Sequence, residues 1–402
     1  MSHPRRWLAG ACVGAITVGL FFSTTLTTIQ DSGHDITDGR NGSPTPAPSA
    51  PASASASPSA PATGGTAAMG AFLHSGPEGV RRMAELQSWL GGAELRVGHT
   101  YLPGDLWSNI EGRPSFLQAW AQWRKDDDDR LFVLNVPMLE RNEEGVPDAE
   151  VRRLLRAGAR GRFDHHFQKL ADRLVRMGVP DTVIVLGWEM NGDTYTHRCG
   201  PDPEAWKAYW KRIITTMRSV PGQKFRFDFA PNRGEDAIAW TKCYPGDDVV
   251  DIIGMDSYDQ PPGKTFDDQV KQPYGLQHQV DFAAAHGKPI SYPEWGLFRN
   301  GDNPEYMRRM LEWMDEHQPL YQTITDYCPH GVWQCRVNPR SSAVFRSALS
   351  PKTAPTPQRD PEPTPVPDAA RDPSCKPLEL GEWVERWLGD RKLCIRLGWN
   401  NG

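Results

Sequence analysis

Residues 182–192 read TVIVLGWEMNG, an apolar run that becomes polar within a few positions. The aliphatic residues 183–186 favour a strand that is buried on both faces, as the strands of a parallel sheet are. Glu189 follows this run after two residues, and Asn191 follows it after four. In parallel α/β folds the active site lies beyond the carboxyl ends of the strands, so these polar residues are candidates for chemistry.

Apolar runs of this kind alternate with helical patterns from residue 69 to residue 349. We predict eight strands, at residues 69–73, 95–101, 131–136, 182–188, 225–230, 249–255, 289–292 and 331–337. Two of the intervening helices have clear starts, because Asp202 and Asn303 each precede a proline and are good N-cap residues. Eight strand–helix units predict a (β/α)8, or TIM, barrel of the α/β class rather than an open sheet.

Stretches of low complexity divide the 402-residue chain. Residues 31–68 are rich in Ser, Pro and Ala, and residues 351–374 are rich in Pro, so both are expected to be linkers. They bracket a predicted catalytic domain at residues 69–350 and leave a short tail at residues 375–402. The tail contains Trp383, Trp387 and Trp399, but it is too short to bury a core unaided.

The N-terminus has the pattern of an export signal. Arg5 and Arg6 precede an uncharged stretch that is long enough to cross a bilayer. Residues 1–30 are therefore expected to be either a cleaved signal peptide or an uncleaved anchor. Both alternatives place the remainder outside the cell, secreted or held at the outer face of the membrane by residues 7–29.

Six cysteines lie beyond this signal, and an even number in an exported chain favours disulfides. By proximity along the chain we expect three pairs: Cys199 with Cys243, Cys328 with Cys335, and Cys375 with Cys394. No cysteine spacing is typical of a zinc site, so no metal is predicted. The net charge of -5, spread without long blocks, also argues against nucleic acid as a partner.

Two glutamates end predicted strands. Glu189 follows the fourth strand, and Glu294 follows the seventh, in the sequence Pro293-Glu294-Trp295-Gly296. Hydrolysis of a glycoside with retention needs two carboxyl groups about 5–5.5 Å apart, one to protonate the leaving oxygen and one to attack the anomeric carbon. A neighbouring tryptophan lowers the local polarity and favours a protonated carboxyl group. We therefore expect these two glutamates to be the catalytic pair.

Three motifs resemble those of glycoside hydrolase family 26. Residues 187–193 (GWEMNGD) are similar to its acid/base motif, residues 293–296 (PEWG) to its nucleophile motif, and residues 251–258 (DIIGMDSY) to its sixth strand. The likeness covers about residues 70–350. It implies a retaining clan A barrel in which Glu189 is the acid/base, Glu294 is the nucleophile, and Tyr258 donates a hydrogen bond to Glu294.

The resemblance also suggests a class of substrate. Members of the family act mostly on β-1,4-mannans, and others act on mixed-linkage β-glucan or β-1,3-xylan. The family usually has a histidine immediately before the acid/base, whereas this chain has Trp188. Mannan is therefore not assumed, and the expected partner is a β-linked polysaccharide cut by a metal-independent, cofactor-free monomer.

Residues at other strand ends are candidates for stacking on sugars or binding their hydroxyl groups. The predicted substrate-binding residues are Trp188, Asn191, Tyr101, Trp295, Asp256 and Asp259. Trp107, Asn135 and Asn232 occupy comparable positions, where packing or capping explains them at least as well. His165 and His166 lie within a helical pattern and are interpreted as surface or packing residues.

Two other functions stay open at this point. The first is a non-catalytic carbohydrate-binding barrel at the cell envelope, which the replacement at Trp188 allows. The second is a metal-dependent hydrolase built from Asp256, Asp259, Glu189 and a histidine such as His99. No short histidine motif with ligand spacing supports this second alternative.

Overall fold

The computed structural model describes residues 67–351. The predicted export signal, most of the first linker, the second linker after Pro351 and the tail with Cys375 and Cys394 lie outside the described residues. Within residues 67–351, no helix is long and apolar enough to cross a membrane.

Parallel strands close into a barrel. The strands are β1 (Ala68–Phe72), β2 (Val97–Tyr101), β3 (Leu131–Val136), β4 (Val183–Leu186), β5 (Arg226–Phe229), β6 (Ile252–Gly254), β7 (Ser257–Tyr258), β8 (Ile290–Gly296) and β9 (Tyr321–Thr325). Strands β1 to β6 pair in sequence, β1 also pairs with β9, and β8 joins β9 to β6. The two-residue β7 extends the position of β6 along β8. Eight strand positions therefore complete the circle, which confirms the predicted (β/α)8 barrel.

Helices cover the outside of this barrel. They are α1 (Pro77–Trp89), α2 (Trp107–Ile110), α3 (Leu117–Lys125), α4 (Asp148–Ala159), α5 (Asp164–Arg176), α6 (Pro203–Arg218), α7 (Phe266–Lys271), α8 (Leu276–Ala285), α9 (Pro304–His317) and α10 (Pro339–Leu349). Helices α6 and α9 begin where the sequence predicted. The Asp202 carboxylate accepts the amide of Ala205, and the Asn303 side chain accepts the amide of Tyr306.

The prediction of the eighth strand was wrong. Residues 331–337 form a loop, in which the Asp326 carboxylate accepts the amides of Val332 and Trp333. The strand is β9, ten residues earlier, with the sequence YQTIT. Three of its five residues, Gln322, Thr323 and Thr325, are polar, which hid the strand from a search for apolar runs. Their side chains are buried and hydrogen-bonded rather than exposed.

Strand alternation separates two cores. Outward-facing residues such as Leu134 and Ile184 pack against the helices, whose largest buried side chains include Trp120, Trp206 and Trp210. Inward-facing residues fill the barrel with a smaller apolar cluster that contains Val97, Val133, Val183, Val185 and Tyr321. Polar residues lie further along the same inward face, as His99 does on β2 and Asn135 on β3, and they are also fully buried. The alternation thus delivers polar groups to one end of the barrel interior.

Two disulfides join loops of the barrel. Cys199 bonds to Cys243, and Cys328 bonds to Cys335, as predicted. The first disulfide ties the segment before α6 to the 3-10 helix Trp240–Cys243, and both of its cysteines are fully buried. The second closes the loop that follows β9.

Removing the first disulfide should destabilise the protein more than removing the second. The first links residues 44 apart in sequence and the second residues 7 apart. A cross-link over n residues removes more unfolded-chain entropy as n grows, which gives about 4 kcal/mol for the first and about 2 kcal/mol for the second. Denaturant unfolding of Cys199→Ala/Cys243→Ala and Cys328→Ala/Cys335→Ala without reductant measures both losses. Equal losses, or the reverse order, would contradict this explanation.

Asp228 should make the stability depend on pH. Its carboxylate lies inside the barrel and accepts the hydroxyl groups of Ser291 and Tyr321, each at 2.6 Å. Burial raises its pKa from 3.8 to about 6. At a pH between these two pKa values, the native state therefore binds a proton that the unfolded chain has lost. The stabilisation from this proton is complete below pH 3.8 and is lost as the pH rises through 6.

Asp228→Asn cannot ionise, so it should lack this loss. From pH 4.5 to pH 7.5 the free energy of unfolding of the wild type should fall by about 2 kcal/mol relative to that of Asp228→Asn. Denaturant titrations at both pH values measure the difference. Asp315→Asn, on the exposed side of α9, is the matched control and should retain the wild-type slope. Parallel pH dependences for Asp228→Asn and the wild type would overturn the assignment.

Candidate active site

A cavity of about 910 Å³ lies at the carboxyl ends of the strands. All three predicted catalytic residues, Glu189, Tyr258 and Glu294, line it. They come from three different strand ends, so the closure of the barrel, rather than proximity in sequence, places them on one cavity.

Glu294 lies in the last part of β8 and is only 3% exposed. Each of its carboxyl oxygens accepts one hydrogen bond. The Tyr258 hydroxyl donates to Oε2 at 2.7 Å, and the Asn135 amide nitrogen donates to Oε1 at 3.1 Å. Donors on both oxygens fix the orientation of this carboxyl group.

Tyr258 is a neutral donor in this arrangement. Burial, and next the charge of Glu294, raise its pKa well above the ordinary value. Its oxygen also lies 2.8 Å from the Thr325 hydroxyl. Since the single phenolic proton is donated to Glu294, the Thr325 hydroxyl must donate to the tyrosine oxygen. Strand β9 therefore supports the residue that holds Glu294.

Glu189 lies on a tight turn directly after β4. Its φ is 49°, a left-handed conformation that is strained for a residue with a side chain. Gly187 has φ 60°, and a Cβ there would lie 2.5 Å from the sulfur of Met138. The Glu189 amide donates to the carbonyl of Ala230 at 2.8 Å, which ties the turn to the end of β5. These contacts hold the turn so that the half-buried Glu189 side chain lines the cavity.

Asn191, predicted to bind substrate, stabilises this turn, and its contact with substrate stays a prediction. Its side chain is fully buried, donates to the carbonyls of Asn232 and Gly234, and accepts the amide of Asn232. Backbone groups therefore occupy its donors and its acceptor. Its position just after a strand end was a correct signal, but the partner is the neighbouring loop.

Trp295 and Asp259, also predicted to bind substrate, have partners within the protein. Trp295 follows Glu294 on β8, so alternation turns it away from the barrel interior. Its ring packs against Phe345, and its N–H donates to Gln322. The fully buried Asp259 carboxylate accepts the side-chain amides of three residues, Gln269, Asn300 and Asn303. Each residue thus has a structural partner, and its contact with a sugar stays a prediction.

Trp188, Tyr101 and Asp256 are buried as well. Trp188 is 3% exposed and packs edge-on against Tyr101, with ring centroids 5.7 Å apart. Burial, then the charges of Glu294 and Glu189, raise the pKa of Asp256 well above the ordinary value. The amide of Glu294 faces that carboxyl group, but neither Asp256 oxygen makes a hydrogen bond within the described residues. None of the six predicted substrate-binding residues lies on the described wall of the cavity.

His197 supports the turn that carries Glu189, and it was missed in the sequence. Its Nε2 donates to the carbonyl of Trp188 at 2.9 Å, and its ring packs on those of Trp188 and Tyr195. Burial lowers its pKa to about 4, so the imidazole is neutral at neutral pH. Its position only eight residues after Glu189 could have indicated that it lies near this turn. His197 thus contacts the backbone of Trp188, and residue 188 is the position at which family 26 usually has a histidine.

Most residues of the cavity wall lie in loops, and loops have no periodic sequence pattern from which such residues could be predicted. Residues that line it without having been predicted include Asp193, Tyr195, Arg233, Lys264, Arg299 and Tyr327. Asp193 is the last residue of the 187–193 motif, Tyr195 lies two residues beyond it, and Arg233 follows β5. A short distance from a strand end could therefore have indicated these residues. Asn232, one of the weaker candidates, also lines this cavity.

Trp107 lies on a second, separate cavity of about 550 Å³, together with His165 and His166. The indole stacks on His166 with ring centroids 4.2 Å apart and an interplanar angle of 6°. Among residues 67–351, no group of three or more His, Cys, Asp or Glu side chains is arranged to hold a metal ion. His99, suggested as a ligand, contacts Asn135 and Thr323.

Comparisons with known proteins agree with this architecture. Residues 163–298 match the family model described as glycosyl hydrolase family 26, and this segment contains Glu189, Tyr258 and Glu294. No curated protein sequence matches the chain.

Several solved structures share the fold. The Bacillus subtilis mannanase BCman is 17% identical with a TM-score of 0.52, over 73% of this chain and 90% of that one. GH26C from a Muricauda species is also 17% identical with a TM-score of 0.52, over 71% and 86% of the two chains. The Bacillus subtilis mannanase Man26 is 14% identical with a TM-score of 0.50, over 72% and 90%. At such identities the likeness concerns the fold. The match of the family model over residues 163–298 identifies the chain as a glycoside hydrolase that resembles family 26.

Proposed function

We propose that this protein is a retaining β-glycoside hydrolase that cuts a β-linked polysaccharide outside the cell. Glu294 is the nucleophile and Glu189 the acid/base. The observation that carries the proposal is the different environment of two carboxyl groups on one cavity. Glu294 is buried and receives a hydrogen bond on each oxygen, whereas Glu189 is half-buried on a turn.

These environments suit the two roles in a double displacement. In the first step the ionised Glu294 oxygen bonds to the anomeric carbon while the glycosidic C–O bond breaks and Glu189 gives its proton to the leaving oxygen. In the second step Glu189 takes a proton from water, and the water oxygen replaces Glu294 on the anomeric carbon. Tyr258 keeps one Glu294 oxygen occupied, which leaves the carboxylate with a fixed direction of attack.

β-Mannan is the first substrate to test. The family acts mostly on mannans, and the names of BCman and Man26 call them mannanases. Trp188 departs from the family pattern, so β-glucan and β-xylan belong in the same panel. The cavity contains the aromatic rings of Tyr195, Phe298 and Tyr327, which provide faces or edges for sugar rings.

The proposed location is extracellular, either secreted or anchored. Arg5 and Arg6 before an uncharged stretch support export. The two disulfides support it further, because disulfides persist in oxidising compartments.

A panel of β-mannan, β-glucan and β-xylan should identify one polymer that the full chain hydrolyses. Glu294→Ala should abolish turnover because the nucleophile is lost. Glu189→Ala should be rescued by azide, which can attack the glycosyl-enzyme without a general base. Release of reducing ends measures hydrolysis of the polymer by the wild type and by Glu294→Ala. The azide rescue of Glu189→Ala is measured as formation of the glycosyl azide from an aryl glycoside of the same sugar, whose activated leaving group needs no acid. Glu316→Ala, on the exposed face of α9, removes a glutamate far from the cavity and should retain full activity.

Binding of a polymer without any turnover by the wild type would contradict the proposal and favour a carbohydrate-binding barrel. Wild-type turnover that survives in Glu294→Ala would retain the glycosidase but overturn the assignment of the nucleophile.

Tyr258→Phe should lower kcat by about 10- to 100-fold with little change in KM, because it removes a hydrogen bond to the reacting carboxylate. Steady-state kinetics on the hydrolysed polymer measure both constants. Tyr292→Phe is the matched control, since that buried hydroxyl on β8 contacts Trp313 rather than Glu294. A change confined to KM, or an equal effect of the two variants, would count against the role of Tyr258.

A further inference from the structure

A chain of buried hydrogen bonds runs from Glu294 across the barrel interior. The Asn135 amide nitrogen donates to Glu294, and the Asn135 oxygen lies 2.9 Å from Nε2 of His99. Nδ1 of His99 lies 3.0 Å from the Thr323 hydroxyl, which in turn donates to the carbonyl of Pro293. His99, Asn135 and Thr323 are all fully buried. The chain thus begins at the Glu294 side chain and returns to the residue before it.

The polarity of this chain determines where the protons lie. An ionised carboxylate only accepts, so Asn135 must present its NH2 to Glu294 and its oxygen to His99. That oxygen also only accepts, and Nε2 of His99 therefore carries a hydrogen. At the other end, the carbonyl of Pro293 takes the single hydroxyl hydrogen of Thr323. The Thr323 oxygen can then only accept from His99, so Nδ1 carries a hydrogen as well.

We propose that His99 is a positively charged positioning residue, an imidazolium that acts through Asn135 to orient Glu294 and to keep it ionised. This inference rests on the proposed role of Glu294 as the nucleophile. His99 touches neither the substrate nor the reacting atoms. It fixes which face of the Asn135 amide meets the carboxylate and places a buried positive charge one side chain away.

The surroundings of His99 fit this charge. Phe72 on β1 meets the ring edge-on at 6.0 Å, and Tyr101 on β2 lies at 4.8 Å, between ring centroids. Asn135 on β3 and Thr323 on β9 supply an acceptor to each ring nitrogen. Glu294 on β8 is the counter-charge, reached through the amide. A buried ion pair is tolerated when further hydrogen bonds satisfy both ions, as they do here.

The protonation of His99 can be measured without substrate. In the 15N NMR spectrum of the full chain at pH 7, the His99 side chain should show two protonated ring nitrogens, assigned by the loss of the signals in His99→Gln. One protonated and one bare nitrogen at pH 7 would overturn the proposal. This result does not depend on hydrolysis, so it stands apart from any failure of the proposed function.

The coupling to Glu294 gives a second, reciprocal test. Glu294→Gln removes the counter-charge, so the pH at which His99 loses its second proton should fall by about one unit. His99→Gln retains a donor toward Asn135 but not the charge. The acid limb of its kcat/KM profile should therefore rise by about one pH unit, with activity on that limb lowered about tenfold. Linkage requires the two shifts to agree in size.

Thr100→Val is the matched control for the kinetic test. Thr100 follows His99 on β2, is equally buried, and donates to the carbonyl of Ser75 rather than into the chain. Its loss should leave the pH profile unchanged. An unshifted acid limb in His99→Gln, an equal shift in Thr100→Val, or an unshifted His99 in Glu294→Gln would each refute the coupling. If no polymer is hydrolysed, the proposed function fails while both NMR measurements still decide the state of His99.

Discussion

Two hydrogen bonds to the Glu294 carboxylate, from Tyr258 and Asn135, impose the strictest geometric demand in this barrel. They join residues from β8, β7 and β3, and Thr325 on β9 supports Tyr258 in turn. All of these strands must therefore keep their register. A slip of one residue along β8 would turn Glu294 toward the helices and bring Trp295 into the interior, because side chains alternate along a strand. The large outer core of Trp and Tyr residues opposes such a slip.

The turn that carries Glu189 meets a different demand. A left-handed φ at a glutamate costs of order 1–3 kcal/mol, and such strain persists only where the surroundings determine it. Here the amide of Glu189 donates to Ala230, Asn191 ties the turn to the loop after β5, and His197 holds the carbonyl of Trp188. These hydrogen bonds thus offset the strain of the left-handed backbone conformation that places Glu189 on the cavity.

The sequence predicted most of the fold, because buried parallel strands are apolar and helix starts have capping residues. It failed at β9, whose polar side chains bond inside the barrel, so polarity there did not mean exposure. Glu189 and Glu294 could be chosen as cavity residues because each lies at the end of an apolar run that predicts a strand. The sequence could not show which residues at strand ends line the cavity, since a polar residue after a strand equally bonds to neighbouring protein groups, as Asn191 and Asp259 do. Only the structure of the closed barrel shows whether such a residue lines the cavity or bonds to neighbouring protein groups.

The central claim is that Glu294 attacks the sugar. The most direct test incubates the wild type with the 2-deoxy-2-fluoro glycosyl fluoride of whichever sugar its polymer contains, and then maps the labelled peptide by mass spectrometry. The fluorine slows breakdown of the covalent intermediate, so this account predicts one sugar bound to Glu294. A label on another carboxylate, or turnover of the polymer without any trapped intermediate and with inversion of the anomeric carbon, would contradict it.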